Sequence, residues 1–220
     1  MSYSLLIEAK ETHMIQSKRN PSALLPQVLA AVYRAGAMIR AEFHLPGGPR
    51  GSGSTAPIDR EIELFLKDRL LDLHPCDFLG EETGGHHVTV SDVWVVDPHD
   101  GTTDFLAGRR GSAISVALLR DGQPVLGVVH APLAPDDRGD MIAWAKGADL
   151  LRNGVSVQRG RVEAPLIVAQ NAKAADHARH NHETLPGIRV RAIPSPAYRL
   201  ALAAVGEVDA AMSLVSGLAP

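Results

Sequence analysis

The tightest constraint in this chain is a short apolar run, Val93-Trp94-Val95-Val96, followed at once by Asp97-Pro98-His99-Asp100-Gly101-Thr102. A continuous apolar run rich in β-branched residues fits a buried strand. Pro98 has no N–H to give to a ladder, so the strand is expected to end there. A tight turn would aim Asp97, the His99 carbonyl and Asp100 to one side. Gly101-Thr102-Thr103 then opens a short helix toward Leu106, and the free N–H groups of a helix start favour an anion. Asp97 and Asp100 also suit plain turn and N-cap roles, so the six residues alone leave two readings open.

The rest of the chain supplies layers for such a strand. Apolar residues at helical spacing from Pro21 to Phe43 predict a helix, and Pro21 suits its first turn. Leu45 to Ser54 is a Gly/Pro-rich loop without the lysine of a P-loop. Ile58 to Leu73 reads as a second helix. Strands are expected at Cys76 to Leu79, Ala113 to Leu119, Val125 to His130 and Met141 to Ala145. Asp121-Gly122 is a hairpin signal, and Asn153-Gly154 marks a turn within Leu150 to Val157. Past residue 160 the pattern alternates: strand at Leu166 to Ala169, helix at Ala172 to Thr184, strand at Ile188 to Ile193, helix at Pro196 to Val205, strand at Val208 to Leu214. That alternation predicts a second α/β unit. The expected organisation is a weakly ordered segment 1–20, an α+β unit 21–160 that carries the site, and a partial α/β unit 161–220.

Composition excludes several classes. The 220 residues carry a formal net charge of −3, which argues against a nucleic-acid polymer or an anionic membrane as partner. No run of 18 or more apolar residues occurs, and the first ten residues lack a signal-peptide pattern. One cysteine, Cys76, permits no internal disulfide and fits a cytoplasmic setting; it reads as a buried apolar residue. His86, His87 and His99 lack the companion spacing of a zinc site. Asp104 reads as a solvated helix residue.

Acidic residues gather at strand ends: Glu81 and Glu82 after one, Asp97 and Asp100 after another. Hard cations such as Mg²⁺ take oxygen ligands and bind through a few carboxylates plus a substrate phosphate. Two cations sharing Asp97 would stabilise both the attacking and leaving oxygens of a phosphoryl transfer.

Trp94 to Phe105 resembles the first signature of the inositol monophosphatase family. Gly80-Glu81-Glu82-Thr83 resembles its upstream Gly-Glu-Glu segment, Gly127 to Pro132 its following hairpin, and Ser195 to Asp209 its late helix–strand unit. The resemblance implies a layered α/β/α/β/α sandwich and Mg²⁺-dependent hydrolysis of a small phosphorylated metabolite, usually by a homodimer. It implies that Glu81, Asp97 and the His99 carbonyl hold one Mg²⁺, and Asp97 with Asp100 a second. Asp59 and Thr102 would orient and deprotonate the attacking water. The N–H groups of Gly101 and Thr102 would hold the phosphate, and Glu82 would support the neighbouring ligand.

Departures bear on activity and substrate. Ala56-Pro57-Ile58 lacks the threonine usual before Asp59. Ser213 stands where several relatives carry an acid that reads a sugar hydroxyl. Bisphosphate nucleotidase relatives follow Gly-Thr with Lys-Glu, where this chain has Thr103-Asp104. The family's second signature, a Trp-Asp pair, would fall beyond Pro220, so the C-terminal unit is expected to be incomplete and the second cation weakly held. The readings in play are an inositol-phosphate hydrolase, a nucleotide or sugar bisphosphatase, and a catalytically impaired binding member of the family. An incomplete second sheet would also make the chain poorly soluble.

Overall fold

The computed structural model describes residues 19–85, 92–158, 165–172, 179, 183 and 186–213. Among the described residues, two helices come first. Helix α1 is Pro21–Phe43, started by Pro21 and by Asn20, whose side chain accepts from Ser22 N at 3.1 Å. Helix α2 is Pro57–Leu73, again opened by a proline. By length and composition α1 could cross a bilayer. Its stripe of Leu24, Leu25, Val28, Val32, Ala35 and Ile39 is instead buried in the protein core, beside Ile58, Ile62, Leu66 and Leu70 of α2.

Seven strands form the first sheet in sequence order: β1 (Asp77–Gly80), β2 (Asp92–Asp100), β3 (Ala113–Arg120), β4 (Gln123–Ala131), β5 (Asp140–Ala145), β6 (Leu151–Arg152) and β7 (Val155–Ser156). Only β1 and β2 pair in parallel. Asp121 and Gly122 both take positive φ, 51° and 73°, as the tight turn joining β3 to β4 requires. Trp94, fully buried in the centre of β2, gives its indole N–H to the His74 carbonyl at 3.1 Å. That bond ties the end of α2 to the sheet.

Among the described residues, a second sheet of three parallel strands has the order β10 (Ala210–Ala211), β8 (Leu166–Gln170), β9 (Ile188–Ala192). Between the sheets lies α4 (Pro196–Ala204), capped by Ser195, whose hydroxyl accepts from Tyr198 N at 2.9 Å. Helix α4 touches β3 and β4 on one side and β10 on the other. A second core of Ala113, Ala131, Ile142, Ala169, Leu202 and Val208 fills that space. Among the described residues the layers therefore run α, β, α, β, an α/β fold.

The structure corrects the sequence in two places. Pro98 does not end its strand. The register passes from Asp97 opposite Ser115 to Asp100 opposite Ala113, three steps against two, so β2 carries one extra residue and continues. A bulge accepts a residue that cannot donate and re-aims the side chains around it. Of the strand expected over Val208 to Leu214, the described residues 208–213 form only Ala210–Ala211, and Leu214 lies outside them. Val208 turns into the core, and Asp209 bridges the approach, its carboxylate accepting from Ile167 N at 2.7 Å. Most of the expected 172–184 helix, residues 1–18, and His86 and His87 lie outside the described residues.

Candidate active site

The bulge in β2 delivers three polar groups to one place. Asp97 sits before it, with Oδ1 accepting from His99 N at 2.9 Å. His99 and Asp100 follow. Gly101 then takes φ 99°, a left-handed turn strained for any other residue, and starts the five-residue helix α3 (Thr102–Leu106). No side chain caps that start.

Helix α2 meets the turn through its first acid. Asp59 is 1% exposed. Its Oδ2 lies 3.0 Å from Thr102 Oγ1, and its Oδ1 lies 2.6 Å from His99 Nδ1. Thr102 Oγ1 also lies 2.8 Å from the His99 carbonyl, so its one proton sits between two acceptors. On the far side of the imidazole, Nε2 meets Ser112 Oγ at 3.0 Å. A carboxylate only accepts, so Nδ1 carries the ring proton and Nε2 accepts from the serine hydroxyl. Phe105 packs edge-on against the ring at 4.3 Å. Ser112, His99, Asp59 and Thr102 thus form one hydrogen-bonded chain.

One turn further along α2, the fully buried Glu63 accepts N–H bonds from Glu82 at 2.8 Å and Thr83 at 2.7 Å. It therefore fixes the turn that presents Glu81. Gly80 permits this, because a Cβ there would lie 2.3 Å from the Glu63 carboxyl carbon. Sequence reasoning passed over Glu63. The available signal was its i+4 spacing from Asp59, which puts both on one helix face.

Electrostatics single out Asp97. Burial, then the negative charges of Glu81 and Asp100 and a shared proton with Glu81, push its carboxyl up to about 8. Glu82 is also raised, by burial first and then by Asp59, Glu81 and Glu63. A crowd of carboxylates without a cation is what a hard cation relieves. Among the described residues, however, no three acidic, His or Cys side chains converge as a ready metal cage. Asp100 is drawn elsewhere: its Oδ2 accepts from Ser195 Oγ at 2.6 Å and Ala197 N at 2.7 Å, at the start of α4. The donor set fits Mg²⁺, which keeps waters and substrate oxygens in its shell, better than a cation that needs a closed protein cage.

The structure therefore brings Asp59, His99, Thr102, Asp97 and Glu81 to one locus, with Asp100 at its edge held by α4. Asp104 is paired with Arg109 at 2.5 Å. The Cys76 thiol is pushed up to about 12, mainly by burial, which removes it as a nucleophile at neutral pH. Two further residues had no sequence signal. Ser195 is fully buried and reaches Asp100. Arg199 is 2% exposed and gives Nη2 to Ser213 Oγ at 2.7 Å.

The family model described as "Inositol monophosphatase family" matches residues 21–217. An inositol-1-monophosphatase of Mycobacterium leprae is 38% identical over 175 residues, covering 70% of this chain and 57% of that protein. The chain spans about half the length of the curated relatives it matches. Among solved structures, the extragenic suppressor protein suhB of Bartonella henselae superposes with a TM-score of 0.70 at 21% identity, over 84% of this chain and 76% of that one. An inositol monophosphatase from Anabaena gives 0.68 at 23% identity, over 90% and 77%. At these identities the two structures speak for the fold.

Proposed function

The chain belongs to the inositol monophosphatase family, and from that premise we propose that it serves Mg²⁺-dependent hydrolysis of a small phosphate monoester, of the inositol monophosphate class. The observation that carries the reading is the meeting of Asp59 and Thr102 at 3.0 Å, across 43 residues of sequence, on the turn that bears Asp97 and Asp100. Positioning and charge neutralisation dominate phosphoryl transfer, and this arrangement supplies the positioning.

Each residue then has a task. Glu81, Asp97 and the His99 carbonyl would hold one cation, and Asp97 with Asp100 a second. Bound there, Mg²⁺ would neutralise phosphate charge and make water a better nucleophile. Thr102 Oγ1 accepts a hydrogen bond from the attacking water, and the proton passes to Asp59 Oδ2. His99, anchored by Ser112, fixes Asp59 Oδ1 so that Oδ2 faces Thr102. The uncapped N–H groups at Gly101 and Thr102 take the phosphate oxygens.

The test is Mg²⁺ titration by calorimetry together with phosphate release from inositol 1-phosphate, for the wild-type chain and for Asp97→Asn. The expected result is cation binding and Mg²⁺-dependent release in wild type, both lost in the variant. A folded wild-type chain that binds no divalent cation would overturn the proposal.

A further inference from the structure

Asp100 stands at the edge of the carboxylate locus, and one of its two oxygens is already taken. Oδ2 accepts from Ser195 Oγ at 2.6 Å and from Ala197 N at 2.7 Å. Ser195 Oγ itself accepts from Tyr198 N at 2.9 Å. The one hydroxyl proton of Ser195 therefore goes to Asp100, and the direction of that bond is fixed. A carboxylate oxygen offers about two lone pairs, and both on Oδ2 are engaged by the start of α4. Among the described residues, Oδ1 receives no such bond.

The donors are held as firmly as the acceptor. Pro196, the first residue of α4, has no N–H, so Ala197 N is the first that the helix can offer. The positive end of the helix dipole meets the carboxylate there. Ser195 is fully buried, and its own N–H gives to the Gly111 carbonyl at 3.3 Å. Arg199, 2% exposed, gives Nη1 to the carbonyls of Ile193 and Pro194, which fixes the segment leading into the helix. Gly111 lets Pro194 close down on it, since a Cβ there would stand 2.8 Å from Pro194 Cδ. A carboxylate at the end of β2 is thus gripped by a helix start 95 residues further on.

A carboxylate with one oxygen withheld is a one-oxygen ligand. Mg²⁺ suits such a ligand, because it demands near-octahedral geometry and keeps several waters. Ca²⁺ fills about six to eight places and readily takes both oxygens of one carboxylate. We propose that Ser195 is a positioning residue that keeps Asp100 a one-oxygen ligand, and so biases the second cation position toward Mg²⁺ and against Ca²⁺. The inference rests on the cation roles proposed above and adds a cause of selectivity at one of them. The coupling is reciprocal: Oδ2 stays on α4 while Oδ1 takes the cation, so cation binding tightens the docking of α4 on the first sheet.

Separate calorimetric titrations with Mg²⁺ and Ca²⁺ test this on the wild-type chain, Ser195→Ala and Ser195→Thr. Wild type is expected to bind Mg²⁺ in two steps. Ser195→Ala frees a lone pair on Oδ2 and should raise the ratio of Ca²⁺ to Mg²⁺ affinity about 10-fold at the weaker step, with the tighter step unchanged. Ser195→Thr keeps the hydroxyl and should keep the wild-type ratio. Loss of a helix cap alone would lower the melting temperature and leave the ratio where it was. An unchanged ratio in folded Ser195→Ala therefore overturns the proposal while the function proposed above stands. A single Mg²⁺ step in wild type does the same, and no step at all overturns both. Hydrogen exchange on wild type decides the matter if Ser195→Ala fails to fold. The Ala197 amide should stay protected, or gain protection, on saturation with Mg²⁺. Faster exchange there would mean that the cation takes Oδ2, and would overturn the proposal.

Discussion

Two carboxylates near opposite ends of β2 have opposite surroundings. Asp92, 2% exposed, accepts from His74 Nε2 at 2.8 Å and from Arg120 Nη2 at 2.8 Å. Burial alone would raise its pKa, but the hydrogen bonds and charges of Arg120 and His74 hold it below the usual carboxylate range. Asp97, five residues on and partly buried, faces Glu81 and Asp100 and is pushed up to about 8. Asp140, also buried, likewise accepts from donors of the chain itself: Arg152, Asn153 and Tyr198. Buried acids that serve the fold are given cations or donors by the chain itself. The acid left among other acids marks the place where a cation must come from outside.

The largest expected effect breaks the second half of the contrast. Asp97→Asn should lower Mg²⁺-dependent phosphate release about 1,000-fold, roughly 4 kcal/mol, because it removes the shared ligand. The same variant should melt higher than wild type in chelator, since it relieves repulsion. Asp92→Ala should do the opposite. It leaves Arg120 and His74 without their partner and should cost about 3 kcal/mol in chemical denaturation. Equal signs for the two variants in metal-free stability would break the comparison.

The pH dependence sharpens it. A carboxyl raised in the fold contributes stability that is full below its unfolded value, near 3.8, and is lost as pH climbs to about 8. A depressed carboxyl such as Asp92 contributes above its unfolded value and fails as pH falls through its folded one. The chelated chain should therefore lose up to about 1.4 kcal/mol per pH unit on the way from 4 toward 8. Saturating Mg²⁺ should flatten that slope, as should Asp97→Asn, read from melts across pH. The smallest effect is expected at Glu63→Gln. It puts an NH₂ against the N–H of Glu82 or Thr83 and should weaken Mg²⁺ binding about 10-fold in calorimetry, with a stability loss of about 1–2 kcal/mol.

Much of this fold was legible in the residues. The periodic apolar stripes gave α1 and α2 nearly to the residue, and Asp121-Gly122 gave its hairpin. The bulge was not legible, because Pro98 reads locally as a stop and only its pairing with β3 shows that the strand resumes. The site divided the same way. Glu81, Asp97 and Asp100 stood out by type and position, and Asp59 and Thr102 through the family resemblance, whereas Glu63, Ser112 and Ser195 did not. Their roles depend on contacts across 13 to 95 residues of chain.

By itself, then, the sequence determined the elements and the acidic turn, since these follow from local periodicity and from the backbone limits of proline and glycine. Only the tertiary structure decided which acid gets a cation and which is left crowded. It also decided that His99 locks Asp59. Those outcomes depend on burial and on partners brought in from elsewhere in the chain, and no local pattern carries that information.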